Sequence, residues 1–297
     1  MKDFLNQAKK TAPPRAEDSM SLFAGTSQRK PDVPLQFQQI LSEEVHVHPG
    51  SRIVLHTDPL SPGADRFRFL RMCLRELWSA GKLRSLLITS ALPLDGKSTI
   101  ALNLATALAE GGKRSVLLLE ADLHKPSLNE QLGLKARPGL TDCLERDLNP
   151  LLAIRRLKPL NWYLLPAGEA VSHPTELLQA EGLAMLMQKL SSLFDWVLVD
   201  SPPVIPVTDA LSLARQTSAT LLVAREGRTP REAVEKTVAL IGKQRVLGVI
   251  LNGADGRERL CSGYYGYSQS TEGSGSIGAA RRQEAGKTRA LPQAPTY

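Results

Sequence analysis

Residues 86–99 constrain the fold more than any other stretch. Leu86-Leu87-Ile88-Thr89-Ser90 is an apolar, partly β-branched run that reads as a buried strand. A turn through Ala91-Leu92-Pro93-Leu94-Asp95 leads into Gly96-Lys97-Ser98-Thr99. Ile100, Leu102, Leu104, Ala105, Leu108 and Ala109 then recur at helical spacing. Strand, loop and helix in this order are the setting a phosphate-binding loop requires. Backbone N–H groups at the helix start can wrap a polyphosphate, and the helix dipole favours an anion there. Lys97 would reach the β- and γ-phosphates, and the Ser98 hydroxyl would ligate Mg²⁺. One position departs from the G-x-x-x-x-G-K-[ST] pattern: Ala91 stands at the first glycine.

The same alternation continues downstream. Val116-Leu117-Leu118-Leu119 is too short for a helix and suits a buried parallel strand. Glu120 and Asp122 stand at its carboxyl end, where open parallel sheets carry their chemistry. That carboxylate pair is placed either to act on bound nucleotide or to cap the next segment. Residues 136–160 read as a Pro- and Leu-rich connection with one or two short helices, and Trp162-Tyr163-Leu164-Leu165 as a strand. Pro174 opens a helix over 175–190. Trp196-Val197-Leu198-Val199-Asp200 followed by Ser201-Pro202-Pro203 is an apolar strand ending in a carboxylate, the Walker B arrangement in which Asp200 completes the Mg²⁺ shell. Asp209 opens and caps the next helix. Two further strand–helix units end at Val246–Leu251 and Asn252-Gly253. The expected fold is a P-loop NTPase of the α/β class, a mostly parallel sheet flanked by helices on both faces.

Upstream, Ile53-Val54-Leu55 reads as a short strand, and Ser61-Pro62-Gly63 starts a helix that runs to Gly81. Asp65, Arg68 and Arg71 share one face of that helix; from periodicity alone they are a solvated charged stripe. Residues 1–50 read as a disordered tail with a short helix near Phe37–Leu41, residues 51–255 as the nucleotide-binding domain, and 256–297 as a flexible tail. His46, His48 and His56 lack metal-ligand spacing and read as solvated. Within the second tail, Tyr264, Tyr265 and Tyr267 fall in four residues. They are either a patch that packs back on the domain or phosphate acceptors on a flexible arm.

Composition narrows the functional classes. Of the 297 residues, 42% are apolar and 23% charged, enough for a sizeable core. No apolar run approaches the ~20 residues that span a bilayer, and the first thirty residues hold no apolar signal core. The expected place is the cytoplasm, unless a partner holds the protein at a membrane. Cys73, Cys143 and Cys261 are far apart and form no Cys-x-x-Cys pair, so reduced thiols are expected rather than a metal site. The net charge of +7 comes without a dense basic run, and no nucleic-acid partner is expected.

In their order these motifs resemble the bacterial tyrosine kinases of capsule and exopolysaccharide synthesis, over roughly residues 58–267. The family pattern reads S-P-x-x-E-x-x-R-x-x-R, T-S-x-x-P-x-x-G-K-S-T, an apolar run with D-x-D-x-R, an apolar run with D-[ST]-P-P, and a tyrosine cluster. The resemblance makes Asp65, Arg68 and Arg71 an oligomerisation helix that packs subunits into a ring, in place of the solvated stripe. It implies ATP and Mg²⁺ as cofactors, with Pro93, Asp95, Gly96, Lys97, Ser98 and Thr99 in the nucleotide loop and Asn252 near the adenine. Lys97, Glu120, Asp122 and Asp200 become the catalytic set. Ser98 and Asp200, helped by Asp122, hold the metal, and Glu120 is the base for an incoming tyrosine. Tyr264, Tyr265 and Tyr267 become acceptors phosphorylated in trans within the oligomer. The implied partners are a membrane polysaccharide co-polymerase, or chain-length regulator, and a tyrosine phosphatase. The protein would then lie peripherally at the inner face of the membrane.

Asp65 stands for the family's usual Glu. Two further residues depart from the family pattern: Glu120 replaces its first Asp, and His124 its Arg. They leave open a catalytically weak ATP-binding scaffold for the membrane partner. A ParA/MinD-type ATPase is the other alternative. Leu92 stands where those proteins carry a second lysine, and Pro93-Leu94 replaces their Gly-Gly.

Overall fold

Strands whose two faces are both buried read as near-continuous apolar runs, and four such strands build the centre of this molecule. A computed structural model describes residues 37–81, 83–135 and 138–254. The sheet contains β1 (Leu41–Glu44), β2 (Ser85–Ser90), β3 (Val116–Glu120), β4 (Arg155–Lys158), β5 (Trp162–Leu165), β6 (Trp196–Asp200), β7 (Ala219–Arg225) and β8 (Val246–Asn252). Their order is β1-β4-β5-β3-β6-β2-β7-β8. Every pair is parallel except β4 with β5. Alternate residues divide two cores. Leu86, Ile88, Val116, Leu118 and Leu198 face one; Leu87, Leu117, Leu119, Val197 and Val199 face the other.

The first core is covered by α1 (Val54–Thr57), α2 (Pro62–Ser79) and α3 (Lys97–Ala109). Helix α3 buries residues around most of its circumference, because α2 packs outside it. The short α4 (Leu128–Gln131) adds Leu128 to this side. The second core is covered by α5 (Leu140–Glu145), α6 (Pro150–Ala153), α7 (Pro174–Gln179), α8 (Glu181–Leu193), α9 (Asp209–Gln216) and α10 (Arg231–Ile241). Among the described residues no helix is long and apolar enough to cross a membrane.

Four local expectations are corrected. The short helix expected near Phe37–Leu41 is confined to a 3-10 turn at Phe37: Ile40 N donates to Phe37 O, and β1 starts at Leu41 and pairs with β4. Residues 41–44 therefore belong to the sheet and not to a tail. Ile53-Val54-Leu55 is not a strand. The N–H of Val54 is taken by the Asn103 side chain at 2.8 Å, and His56 and Thr57 N–H groups turn back to Ile53 O, which winds α1. The connection over 136–160 contains β4 as well as short helices; buried Arg155 is held by Glu43 of β1 at 3.3 Å. The helix over 175–190 is two helices, broken where Ala180 is extended (ψ 152°).

Candidate active site

The site grows from register. Ile88 of β2 and Glu120 of β3 both pair with Asp200 of β6, so β3 and β6 end together while β2 runs two residues further, to Ser90. Beyond β2 the chain folds into a loop held from behind. Asp95 is fully buried and accepts from Leu92 N at 3.2 Å and Thr229 Oγ1 at 2.8 Å. Asn252 Nδ2 donates to Asp95 O at 2.9 Å, and an Arg225 Nη donates to Leu94 O at 3.3 Å. The ends of β7 and β8 thus clamp the loop. Gly96 is required by its φ of 94° and because a Cβ there would collide with the Asn252 amide. Leu94 carries a left-handed φ of 67° without being glycine.

Inside the loop, Lys97 Nζ lies 3.0 Å from Asp122 Oδ2, and Asp122 Oδ1 accepts from Lys125 N at 3.1 Å. Asp200 is 1% exposed and lies against the Ser98 hydroxyl, yet its Oδ1 has no hydrogen-bond partner among the described residues. Burial pushes its pKa up to about 7; Lys97 and Ser98 pull it down, and Glu120 and Asp122 push it further up. An orphaned carboxylate oxygen beside a hydroxyl is a hard-oxygen donor set that fits Mg²⁺. Among the described residues no group of three or more His, Cys, Asp or Glu forms a protein-only metal cage. Mg²⁺ at such sites uses few protein ligands and leaves the remainder to phosphates and water.

A cavity of about 990 Å³ opens over this loop. Pro93, Gly96, Lys97, Ser98, Thr99 and Asp122 line it; Asp95 and Asn252 stand behind the loop. Glu120 is 1% exposed and turned elsewhere. Its Oε1 accepts from Ser127 N at 2.6 Å and Leu128 N at 2.7 Å, and its Oε2 from Ala167 N at 3.1 Å. The carboxylate expected to receive a tyrosine proton is held instead by three backbone donors, two of them at the start of α4. Asp209 differs from its expected role as well. It is fully buried and bonded to His124 Nε2 at 2.7 Å, so it does not cap α9. His46, His48 and Arg52 on one wall, and Arg225 and Arg228 on another, were not expected in the site. The two histidines are not buried, as expected, but they face the cavity.

The geometry agrees with comparisons to known proteins. A ParA family model, described as NUBPL iron-transfer P-loop NTPase, matches residues 84–271. Tyrosine-protein kinase YwqD of Bacillus subtilis is 32% identical over 223 residues, covering 73% of this chain and 94% of that protein. The chain belongs to the bacterial tyrosine-protein kinases. Another relative is the succinoglycan biosynthesis transport protein ExoP of Rhizobium meliloti, 37% identical over 70% of this chain. The chain spans only 27% of ExoP's length. The kinase domain of Escherichia coli tyrosine kinase ETK superposes with a TM-score of 0.65 at 26% identity, covering 70% of this chain and 82% of that one.

The resemblance singles out two other groups of residues. On α2, Asp65 and Arg68 pair with each other at 2.7 Å on the exposed face. Arg71 turns inward, its Nη1 donating to Ala107 O of α3 at 3.4 Å. The three residues therefore do not project as one set. Exposed Phe69 and Met72 stand beside the Asp65–Arg68 pair in sequence. Tyr264, Tyr265 and Tyr267 lie outside the described residues.

Proposed function

We propose that this protein is an ATP-dependent protein-tyrosine autokinase of capsule or exopolysaccharide synthesis. The observation that carries the reading is the orphaned, buried Asp200 Oδ1 beside Ser98, under a loop that presents Lys97. Loop amides and Lys97 hold the β- and γ-phosphates of ATP. Ser98 and Asp200, with Asp122, would hold Mg²⁺, which when bound would neutralise charge on those phosphates. The tyrosine oxygen attacks the γ-phosphorus and loses its proton to water, the bond from that phosphorus to the β,γ-bridging oxygen breaks, and ADP leaves with that bond's electron pair. Positioning and electrostatics supply most of the rate in such transfers. Glu120 contributes by bracing the loop between Asp122 and α4.

The acceptors are Tyr264, Tyr265 and Tyr267, modified in trans within a ring-like homo-oligomer built on the Asp65–Arg68 face of α2. The protein acts at the inner face of the membrane through a polysaccharide co-polymerase, and a tyrosine phosphatase reverses the modification. A second reading is favoured by the engagement of Glu120: an ATP-binding scaffold for the same membrane partner that passes little phosphate.

Mixing two variants tests the first reading against the second. Lys97→Met keeps its tyrosines, and the triple Tyr264/Tyr265/Tyr267→Phe variant keeps its loop. With Mg-ATP, phosphotyrosine should form on the Lys97→Met chain. Nucleotide binding by the triple variant without any phosphotyrosine in the mixture supports the scaffold.

A further inference from the structure

We infer that His124, oriented by Asp209, is the group that receives the hydroxyl of the acceptor tyrosine. The inference rests on the kinase reading and adds a residue to it. Most other candidate groups are already engaged. Glu120 is occupied by three backbone N–H groups and does not line the cavity. Asp122 is engaged by Lys97 and by Lys125 N. Asp200 is buried beneath the loop. His48 Nδ1 accepts from Gly50 N at 3.0 Å.

His124 differs from all of these. It follows Asp122 by two residues, lines the cavity, and keeps 38% of its side chain exposed. Its Nε2 lies 2.7 Å from Asp209 Oδ2, and Asp209 is 0% exposed at the first turn of α9. A carboxylate only accepts hydrogen bonds, so Nε2 carries the ring hydrogen. In the neutral ring Nδ1 is then an acceptor with no partner among the described residues. Asp209 thereby fixes both the tautomer and the plane of the imidazole, as a buried carboxylate does for other functional histidines. The result is an oriented acceptor on the cavity wall, two residues along the chain from Asp122; Glu130 and His46 also line the cavity, but no side-chain hydrogen bond among the described residues orients them. It suits a neutral hydroxyl donor such as a phenol. The arginine that the family carries here offers donors only.

The test uses the full-length protein, Mg-ATP and a synthetic peptide of residues 262–269 as acceptor. Acceptor kcat/KM, nucleotide Kd and Tm are measured for wild type and four variants. His124→Phe keeps a ring without polar atoms, and His124→Arg supplies donors alone. His124→Gln supplies a donor for Asp209 and an acceptor oxygen. Asp209→Asn turns an amide N–H toward Nε2 and moves the ring hydrogen to Nδ1, which costs the acceptor without removing either side chain. The expected result is a loss in acceptor kcat/KM of about 100-fold for His124→Phe, His124→Arg and Asp209→Asn, the scale of a misplaced reactant. Nucleotide Kd should stay within about twofold, and His124→Gln should recover most of the loss. If His124→Phe does not fold, His124→Arg and His124→Gln at this half-exposed position carry the same comparison. Wild-type-like acceptor kinetics in His124→Arg overturn the inference, and so do parallel losses of nucleotide and acceptor binding. A wild type that binds Mg-ATP but never modifies the peptide overturns the kinase reading and the inference with it.

Discussion

Asp200 is the residue whose removal should separate folding from function. Its carboxyl is fully buried, and its pKa is raised from 3.8 to about 7 in the folded chain. Between those values the metal-free native state holds a proton that the unfolded chain has released. The native state binds more protons, so stability falls as pH rises. Roughly three pH units at about 1.4 kcal/mol each give a loss on the order of 4 kcal/mol, complete above pH ~7. Asp200→Asn removes the titration and keeps the shape. In EDTA the variant and wild type should melt together near pH 4. By pH 8 the variant should be the more stable, by up to about 4 kcal/mol, or roughly 10 °C in Tm for a domain of this size. The same substitution should weaken Mg-dependent nucleotide binding, because it removes the carboxylate charge that a divalent cation needs. Thermal unfolding from pH 4 to 8.5 is the assay. Parallel pH profiles, or an Asp200→Asn variant that melts lower at pH 8, would refute the assignment of a carboxyl whose pKa is raised by burial.

Leu94 is 65% exposed and sits at a left-handed φ, so Leu94→Gly should raise stability by about 0.5–1 kcal/mol with nucleotide affinity kept; a lowered Tm would mean that the side chain is needed where it stands. Glu120→Gln replaces an accepting oxygen by an NH2 group facing a backbone donor and should destabilise by about 1–3 kcal/mol in chemical denaturation. A variant of unchanged stability that loses tyrosine phosphorylation alone would return Glu120 to the role of base.

The phosphate loop was legible because its signals are local. Strand β2, the turn, Gly96-Lys97-Ser98 and α3 are contiguous, and strands buried on both faces announce themselves as apolar runs. Strand β4 was hidden because Arg155-Arg156-Leu157-Lys158 has the composition of a surface loop; its burial depends on Glu43, 112 residues away. The β-branched start of Ile53-Val54-Leu55 suggested extension, and a single amide from Asn103 decided for a helical turn. The same distinction holds in the site. Lys97, Ser98 and Asp200 follow from motif chemistry. The engagement of Glu120 depends on the amides of Ser127, Leu128 and Ala167, and the His124–Asp209 pair joins residues 85 apart in sequence. No spacing rule signals either contact. They arise only when β3, β5 and β6 end side by side.

The central claim is that the γ-phosphate reaches tyrosine. Phosphosite mapping by mass spectrometry of the Lys97→Met and triple tyrosine variants, mixed with Mg-ATP, measures this most directly. The account predicts phosphate on Tyr264, Tyr265 and Tyr267 of the Lys97→Met chain, and none when that chain is incubated alone. ATP consumed by the mixture with every tyrosine unmodified would contradict it.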